Sequence, residues 1–325
     1  MYNTYDIIGD IHGHAQKLKQ LLEKLGYVEV DGVYRHPTRK VIFLGDFIDR
    51  GPEQVETLRI VKAMIDAGAA LTVLGNHEFN AVAFATPDPD HPGEYLRKHT
   101  ARNRHPHNEF LRQVGEGSPE YVEIIEWFKT LPVYLDLPGL RAIHACWHPE
   151  YITEIQQYLN PDQSIKAEAW VQSARKGSHA YELMETLLKG VETDLPEGIS
   201  YLDKDGIERR RTRTRWWDKD ARTYRELAVG SESMRSQLPD QDVPGMAVVN
   251  YESQHLVVFG HYWMQGTPQP LGPRVACLDY SIGKGSPSGK LCAYRWDGET
   301  DFCPDKFVWV TGGYDHDHTP DQPAL

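Results

Sequence analysis

Several things are scarce in this 325-residue chain, and each scarcity excludes something. There are four cysteines, Cys146, Cys277, Cys292 and Cys303, and none sits in CxxC spacing. That rules out a disulfide framework and a cysteine-rich zinc site. No uncharged run approaches the ~18 residues of a membrane span. The N-terminus passes into the charged, glycine-punctuated Asp6–Gly13 rather than an apolar h-region, so no signal peptide is visible. Excess basic charge is also missing: Lys+Arg 35 against Asp+Glu 47 leaves −12 with His neutral. Such a chain gains nothing from phosphate counterion release, which disfavours stable nucleic-acid binding. No internal repeat is present. The expectation is a soluble, reduced, cytoplasmic protein with no membrane partner, and the sequence leaves its oligomeric state undetermined.

The apolar pattern of the first half alternates in period. Tyr5–Ile8, Val41–Leu44 and Leu71–Leu74 read as short buried strands. Between them, Ala15–Leu25 repeats Leu18, Leu21, Leu22 and Leu25, and Gln54–Ala67 repeats Val55, Leu58, Met64 and Ile65; both are helical faces. Strand–helix alternation predicts βαβ units and a mostly parallel sheet. Residues 86–108, rich in proline, read as a surface excursion. A helix is predicted at Pro119–Lys129, with strands at Val133–Leu137, Leu140–His144, Leu256–Phe259, Arg274–Asp279 and Lys290–Trp296. Residues 150–250, with helical stretches near 166–189, read as an inserted, mainly helical block. The Asp/His/Pro-rich tail from residue 313 reads as disordered, which puts the domain at 1–312.

Three blocks follow predicted strands: Gly9-Asp-Ile-His-Gly13, Gly45-Asp-Phe-Ile-Asp-Arg-Gly51 and Gly75-Asn-His-Glu78. Ligands of open α/β sheets bind beyond the carboxyl ends of strands, so these loops should converge there. The convergent set is Asp10, His12, Asp46, Asp49, Asn76 and His77. In extended chain, residues i and i+2 point the same way, so Asp10 and His12 can grip one cation together. Mixed carboxylate, amide and imidazole donors suit Mn, Fe, Zn or Ni better than calcium.

The order GDIHG, GDFIDRG, GNHE resembles the calcineurin-like metallophosphoesterase superfamily. The Asp49-Arg50-Gly51 extension is similar to its phosphoprotein-phosphatase branch, which includes bacterial diadenosine tetraphosphate hydrolases. The resemblance implies a layered α/β/β/α sandwich with two central mixed sheets. It also implies two later metal histidines, each after an apolar strand; His144 and His261 fit. His144-Ala-Cys-Trp147 is similar to the bacterial and phage pattern rather than the eukaryotic His-Gly-Gly.

Carried across, the resemblance implies two divalent transition-metal ions, manganese foremost. Asp10 and His12 would hold the first, Asp46 would bridge, and Asn76, His144 and His261 would complete the second. A metal-bridging hydroxide would attack phosphorus in line. Arg50 would hold phosphate oxygens, and His77 would protonate the leaving oxygen with Asp49 orienting its ring. A second phosphate arginine is expected downstream, with Arg213 and Arg215 as candidates and Arg215 preferred.

The leading expectation is hydrolysis of phosphomonoesters, with phosphoserine or phosphothreonine in proteins as the target. The alternative is a diadenosine tetraphosphate hydrolase, favoured by Trp147, Trp263 and Trp216–Trp217, which could stack a nucleobase or simply pack. An inactive metal-binding scaffold is a third reading, weakened by His77, Asp49 and Arg50. Cys146 lacks the arginine a thiolate phosphatase needs six residues on, where Ile152 stands. The Asp203–Gly206 stretch reads as a hairpin turn rather than a phosphoaspartyl motif, and Asp315–His318 as tail rather than a metal site.

Overall fold

A computed structural model describes residues 4–202, 208–245, 248–249, 251 and 254–313 of the chain. Two sheets lie back to back between layers of helices. The six-stranded sheet runs Asp279–Tyr280, Lys290–Trp296, Tyr5–Ile8, Lys40–Phe43, Ala70–Thr72, with Phe307–Thr311 also paired to Lys290–Trp296. Tyr5–Ile8, Lys40–Phe43 and Ala70–Thr72 are parallel, while Lys290–Trp296 pairs antiparallel with Tyr5–Ile8. The four-stranded sheet runs Val275–Cys277, Leu256–Phe259, Leu140–Ile143, Tyr134–Leu137, with the first three parallel.

Strand side chains alternate faces, and the two faces meet different layers. Ile7, Ile42 and Tyr294 turn inward and join Leu140, Ala142, Leu256 and Val258 in the seam between the sheets. Ile8, Val41 and Phe43 turn outward and share a core with Leu18, Leu21 and Leu22 of the helix Ala15–Lys24 and Leu58 and Val61 of Gln54–Asp66. On the far side, Ile143, Val257 and Phe259 meet Leu183 and Leu187 of the helix His179–Lys189. This is the expected layered sandwich, with parallel strands covered on both faces.

The structure departs from the sequence pattern in two places. Residues 86–108 do not stay irregular: a helix, Ala101–Val114, begins within them, capped by the Thr100 hydroxyl accepting from Asn103 N–H. Pro106 sits inside that helix, and its missing N–H is what hid the element. The helical stretches expected near 166–189 are Ala167–Ala169, Trp170–Ala174 and His179–Lys189, the last restarted by a Ser178 cap. Beyond Lys189 the inserted block changes character: Glu192–Asp194 pairs antiparallel with Arg211–Arg213, over a small core of Leu195, Tyr224, Leu227 and Leu238. Tyr201–Leu202 pairs antiparallel with Glu208–Arg209, flanking the predicted hairpin turn. The turn itself and the tail Asp315–His318 lie outside the described residues. Among the described residues, no helix is long and apolar enough to cross a membrane.

Candidate active site

All three glycine-flanked blocks, with His144 and His261, converge at the carboxyl ends of the parallel strands. The first two loops are tied backbone to backbone. Ile11 and His12 N–H donate to the Asp46 carbonyl at 3.1 and 2.8 Å, and Gly13 N–H donates to Phe47 at 2.8 Å. The Glu78 carboxylate then accepts from Asp46 and Phe47 N–H, each at 2.8 Å. Burial and then the nearby Asp46 charge push the Glu78 pKa up to about 8. Crowding here leaves no room for side chains: a Cβ on Gly260 would stand 2.0 Å from Asp10 Oδ1.

The backbone at this rim is strained. Among the described residues nine non-glycines have positive φ, and seven of them belong here: His12, Asp46, Asp49, Arg50, His261, Trp263 and Ser281. Each such conformation costs on the order of 1–3 kcal/mol and is held only where surrounding contacts over-determine it.

Donor atoms gather in two groups that share Asp46. One contains His12, Asp46 and His77; the other contains Asp46, His144 and His261; within each, ligand atoms lie within 4.8 Å of one another. Asp46 Oδ2 is 3.7 Å from His12 Nε2, and Asp46 Oδ1 is 3.5 Å from His144 Nε2. Asp10 joins through the His261 N–H, which is 3.1 Å from its Oδ2.

The arrangement fits cations. His12 Nδ1 lies 3.0 Å from the Ile48 carbonyl, leaving His12 Nε2 without a partner, and His261 Nε2 is also buried without one. His144 Nδ1 lies 2.7 Å from the Leu44 carbonyl, an acceptor only, so a neutral ring keeps its proton there. Its Nε2 lone pair then faces Asn76 Oδ1, another acceptor, at 3.0 Å. Buried lone pairs directed at each other are unfavourable unless a cation lies among them. The ionisation pattern agrees. Burial, then Asp279 and Asp46, push the Asp10 carboxyl well up. Burial, then the His77 charge, hold His12 down at about 3.

His77 stands at the edge of this cluster. Its Nδ1 is 2.5 Å from Asp49 Oδ2, and its Nε2 is 3.9 Å from Asp46 Oδ2. Burial alone would lower its pKa, yet Asp46 and Asp49 together raise it above the ordinary imidazole value. Arg50 is exposed, its guanidinium 4.4 Å from the centre of the Trp263 ring, with the Lys284 ammonium 5.1 Å from the same ring.

The two candidate arginines separate. Arg215 lies beyond the end of the strand Arg211–Arg213; its guanidinium donates to the Glu226 carbonyl and pairs with Asp218 at 3.2 Å. Arg213 points toward the cluster instead: it lies 5.7 Å from the Tyr262 ring centre, its Nε is buried without a hydrogen-bond partner, and after burial its charge is the largest influence depressing His261. Of the tryptophans, Trp216 and Trp147 are buried, and Trp216 Nε1 donates to the Ala145 carbonyl. Trp217 is half-buried against Phe259 and Tyr262, and Trp263 borders the donor cluster. Cys146 is buried and its thiol pKa is pushed well up by that burial, as an inert thiol should be.

Two residues of the site have no counterpart in the sequence reading. Asp279 Oδ2 accepts from Trp263 N–H at 2.7 Å and Oδ1 from Ser281 N–H at 2.9 Å, fixing two strained residues. His107, on the helix Ala101–Val114, places Nδ1 2.7 Å from Asp49 Oδ1. Its signal was available: His107, Phe110, Leu111 and Val114 form one buried helical face.

Residues 4–261 match the family described as Calcineurin-like phosphoesterase. Among curated proteins, the asymmetrical bis(5′-nucleosyl)-tetraphosphatase PrpE of Oceanobacillus iheyensis is 31% identical over 141 residues, 43% of this chain and 54% of that protein. This chain therefore spans about half the length of that relative. The symmetrical bis(5′-nucleosyl)-tetraphosphatase of Coxiella burnetii is 26% identical over 289 residues, 85% of this chain and 84% of that protein. A crystal structure described as a diadenosine tetraphosphatase shares the fold, with a TM-score of 0.50 at 16% identity over 97% of this chain and 96% of the other.

Proposed function

The chain belongs to the calcineurin-like phosphoesterase family, a family of dinuclear metal-dependent hydrolases, and on that premise we propose that it hydrolyses the phosphoanhydride of a dinucleoside polyphosphate, diadenosine tetraphosphate being the type substrate. The observation that carries this is the indole of Trp263, which borders the donor cluster with two cations, Arg50 and Lys284, against it. A phosphomonoester brings one phosphoryl group, whereas a polyphosphate chain brings several negative charges for which a second cation outside the metal cluster is useful. The names of the two curated relatives support the same choice. Dephosphorylation of phosphoserine or phosphothreonine, the first expectation from the motifs, takes second place, because the Trp263 ring, 5.8 Å from that of His12 and flanked by Arg50 and Lys284, offers an aromatic face and extra positive charge that one phosphoryl group does not call for.

In this reading Asp10 and His12 would hold one cation and Asn76, His144 and His261 the other, with Asp46 available to both. Two such ions supply Lewis-acid activation of water and neutralise charge on the attacked phosphoryl group. The donor set accommodates manganese, iron, zinc or nickel. Arg50, against the Trp263 ring beside His12, and Arg213, near His261, would grip phosphate oxygens. His77 Nε2–H gives its proton to the leaving oxygen, and Asp49 on Nδ1 keeps the ring turned that way. An inactive scaffold has no use for a buried His–Asp pair at the edge of the donors.

Manganese-loaded protein is to be given diadenosine tetraphosphate and a phosphoserine peptide in separate tubes, with products read by mass spectrometry. Preferential cleavage of the dinucleotide is expected, and its products, two ADP or ATP plus AMP, locate the attack. Preferential phosphate release from the peptide restores the phosphatase reading.

A further inference from the structure

The Asp49 carboxylate does not serve His77 alone. Its Oδ2 meets His77 Nδ1 at 2.5 Å, and its Oδ1 meets His107 Nδ1 at 2.7 Å. The three groups come from three separate elements: the loop after Lys40–Phe43, the helix Asn76–Ala85 and the helix Ala101–Val114. All lie inside the protein, with side chains of Asp49, His107 and His77 exposed 5%, 6% and 12%. Asp49 sits at φ 72°, a conformation its own backbone does not prefer. Its N–H is fixed by Gln54 Oε1 at 2.7 Å, but that bond leaves the carboxylate free to rotate about χ2.

We propose that His107 is a positioning residue for the general acid, holding Oδ1 of Asp49 so that Oδ2 stays aimed at His77. The proposal rests on His77 acting as the acid. A carboxylate held at one oxygen only can swing; held at both, it can present Oδ2 along one direction. His77 then keeps Nδ1–H on Asp49 through the proton's departure from Nε2, and the ring cannot turn its acidic N–H away from the leaving oxygen. His107 is itself braced by the rings of Phe84 and Phe110, at 5.3 and 4.9 Å between centroids. Its Nε2 is buried without a hydrogen-bond partner, so the Asp49 bond is the polar contact that orients the ring. Burial would raise the Asp49 carboxyl, yet His107 first and His77 second bring it well below the usual range, so the shared carboxylate remains an acceptor for both.

The test reads leaving-group dependence, which a purely structural contact does not move. Turnover of 4-nitrophenyl phosphate, whose phenolate departs without a proton, is compared with that of phenyl phosphate, whose phenolate (pKa about 10) benefits from one. In His107→Leu the kcat ratio of the first substrate to the second is expected to rise about tenfold over wild type, a part of the roughly 10²–10⁴ that general acid catalysis supplies. His107→Asn, whose amide N–H replaces Nδ1–H, is expected to restore the wild-type ratio. His107→Gln, which sets its amide in the wrong place, substitutes for His107→Leu if that variant does not fold. A ratio unchanged from wild type in His107→Leu and His107→Gln, with both rates falling in parallel, overturns the proposal. His77→Asn is measured alongside: if its ratio does not rise, the reading of His77 as acid is what fails, whereas a rise there and none at His107 sinks only the present inference.

Discussion

The two sheets contribute to the site in unequal ways. The loops beyond the six-stranded sheet deliver Asp10, His12, Asp46, Asp49 and Arg50, and the helix Asn76–Ala85 that follows its edge strand adds Asn76 and His77. The four-stranded sheet delivers two histidines. The first group is locked internally by backbone bonds and by Glu78. The second is registered onto the first: His144 through Nδ1 on the Leu44 carbonyl, and His261 through its N–H on Asp10. One sheet builds a preorganised half-site, and the other completes it across the sandwich seam. Specific geometry on one side reduces what the other must specify to one residue per strand end.

That asymmetry sets the scale of expected damage. Asp46 is the residue both donor groups share, so Asp46→Asn should be the severest change. It removes the charge that would draw cations to both groups and the one carboxylate available to both. Losing several kcal/mol of charge stabilisation corresponds to about 10³-fold or more in rate. The expected outcome is near-abolished turnover with reduced metal content by mass spectrometry of the purified protein. A fully active, fully loaded variant would break the comparison at its centre.

His261→Ala tests the dependent half. Removing groups that merely orient a ligand costs about 10–100-fold in metal affinity, so deleting a ligand should cost at least the upper figure. Metal content is expected to fall toward one ion per chain while the first group keeps its own. Loss of both ions together would mean that the first half-site is not preorganised, and the asymmetry would fail.

The same asymmetry governed what the sequence could disclose. The first half-site is legible because tight turns and close approach demand glycines around Asp10, Asp46 and Asn76, leaving dense local patterns. The second half is legible only as a histidine at the end of an apolar strand, and the resemblance was needed to find His144 and His261. Asp279 and His107 were hidden for another reason. Their work lies in long-range hydrogen bonds, to Trp263 and to Asp49, which no local spacing encodes. The helix that carries His107 was masked by Pro106, whose penalty is outweighed by the buried face His107–Val114 and the Thr100 cap. Between Glu192 and Arg213, pairing of two three-residue strands across the chain left no periodicity long enough to read.

The smallest expected effect separates two arginines one residue apart. Alternation along a strand would give Arg213 and Arg215 the same face, but the strand ends at Arg213, and Arg215 turns its guanidinium onto Glu226 and Asp218. Arg213 keeps its guanidinium near Tyr262 and close enough to His261 to depress it, with Glu192 as a distant partner at 3.9 Å. A charge-assisted hydrogen bond to a phosphate oxygen contributes about 1.5–3 kcal/mol, or roughly 10- to 100-fold. Arg213→Ala should therefore raise KM for the phosphorylated substrate about tenfold, while Arg215→Ala should leave KM within about twofold and lower Tm by a few degrees through the lost Glu226 and Asp218 contacts. Steady-state kinetics with matched thermal melts decide it. The reverse pattern, with KM moved by Arg215 and not by Arg213, would require the segment after Thr214 to rotate toward the cluster when substrate binds, and would relocate the second phosphate grip to the inserted block's outer turn.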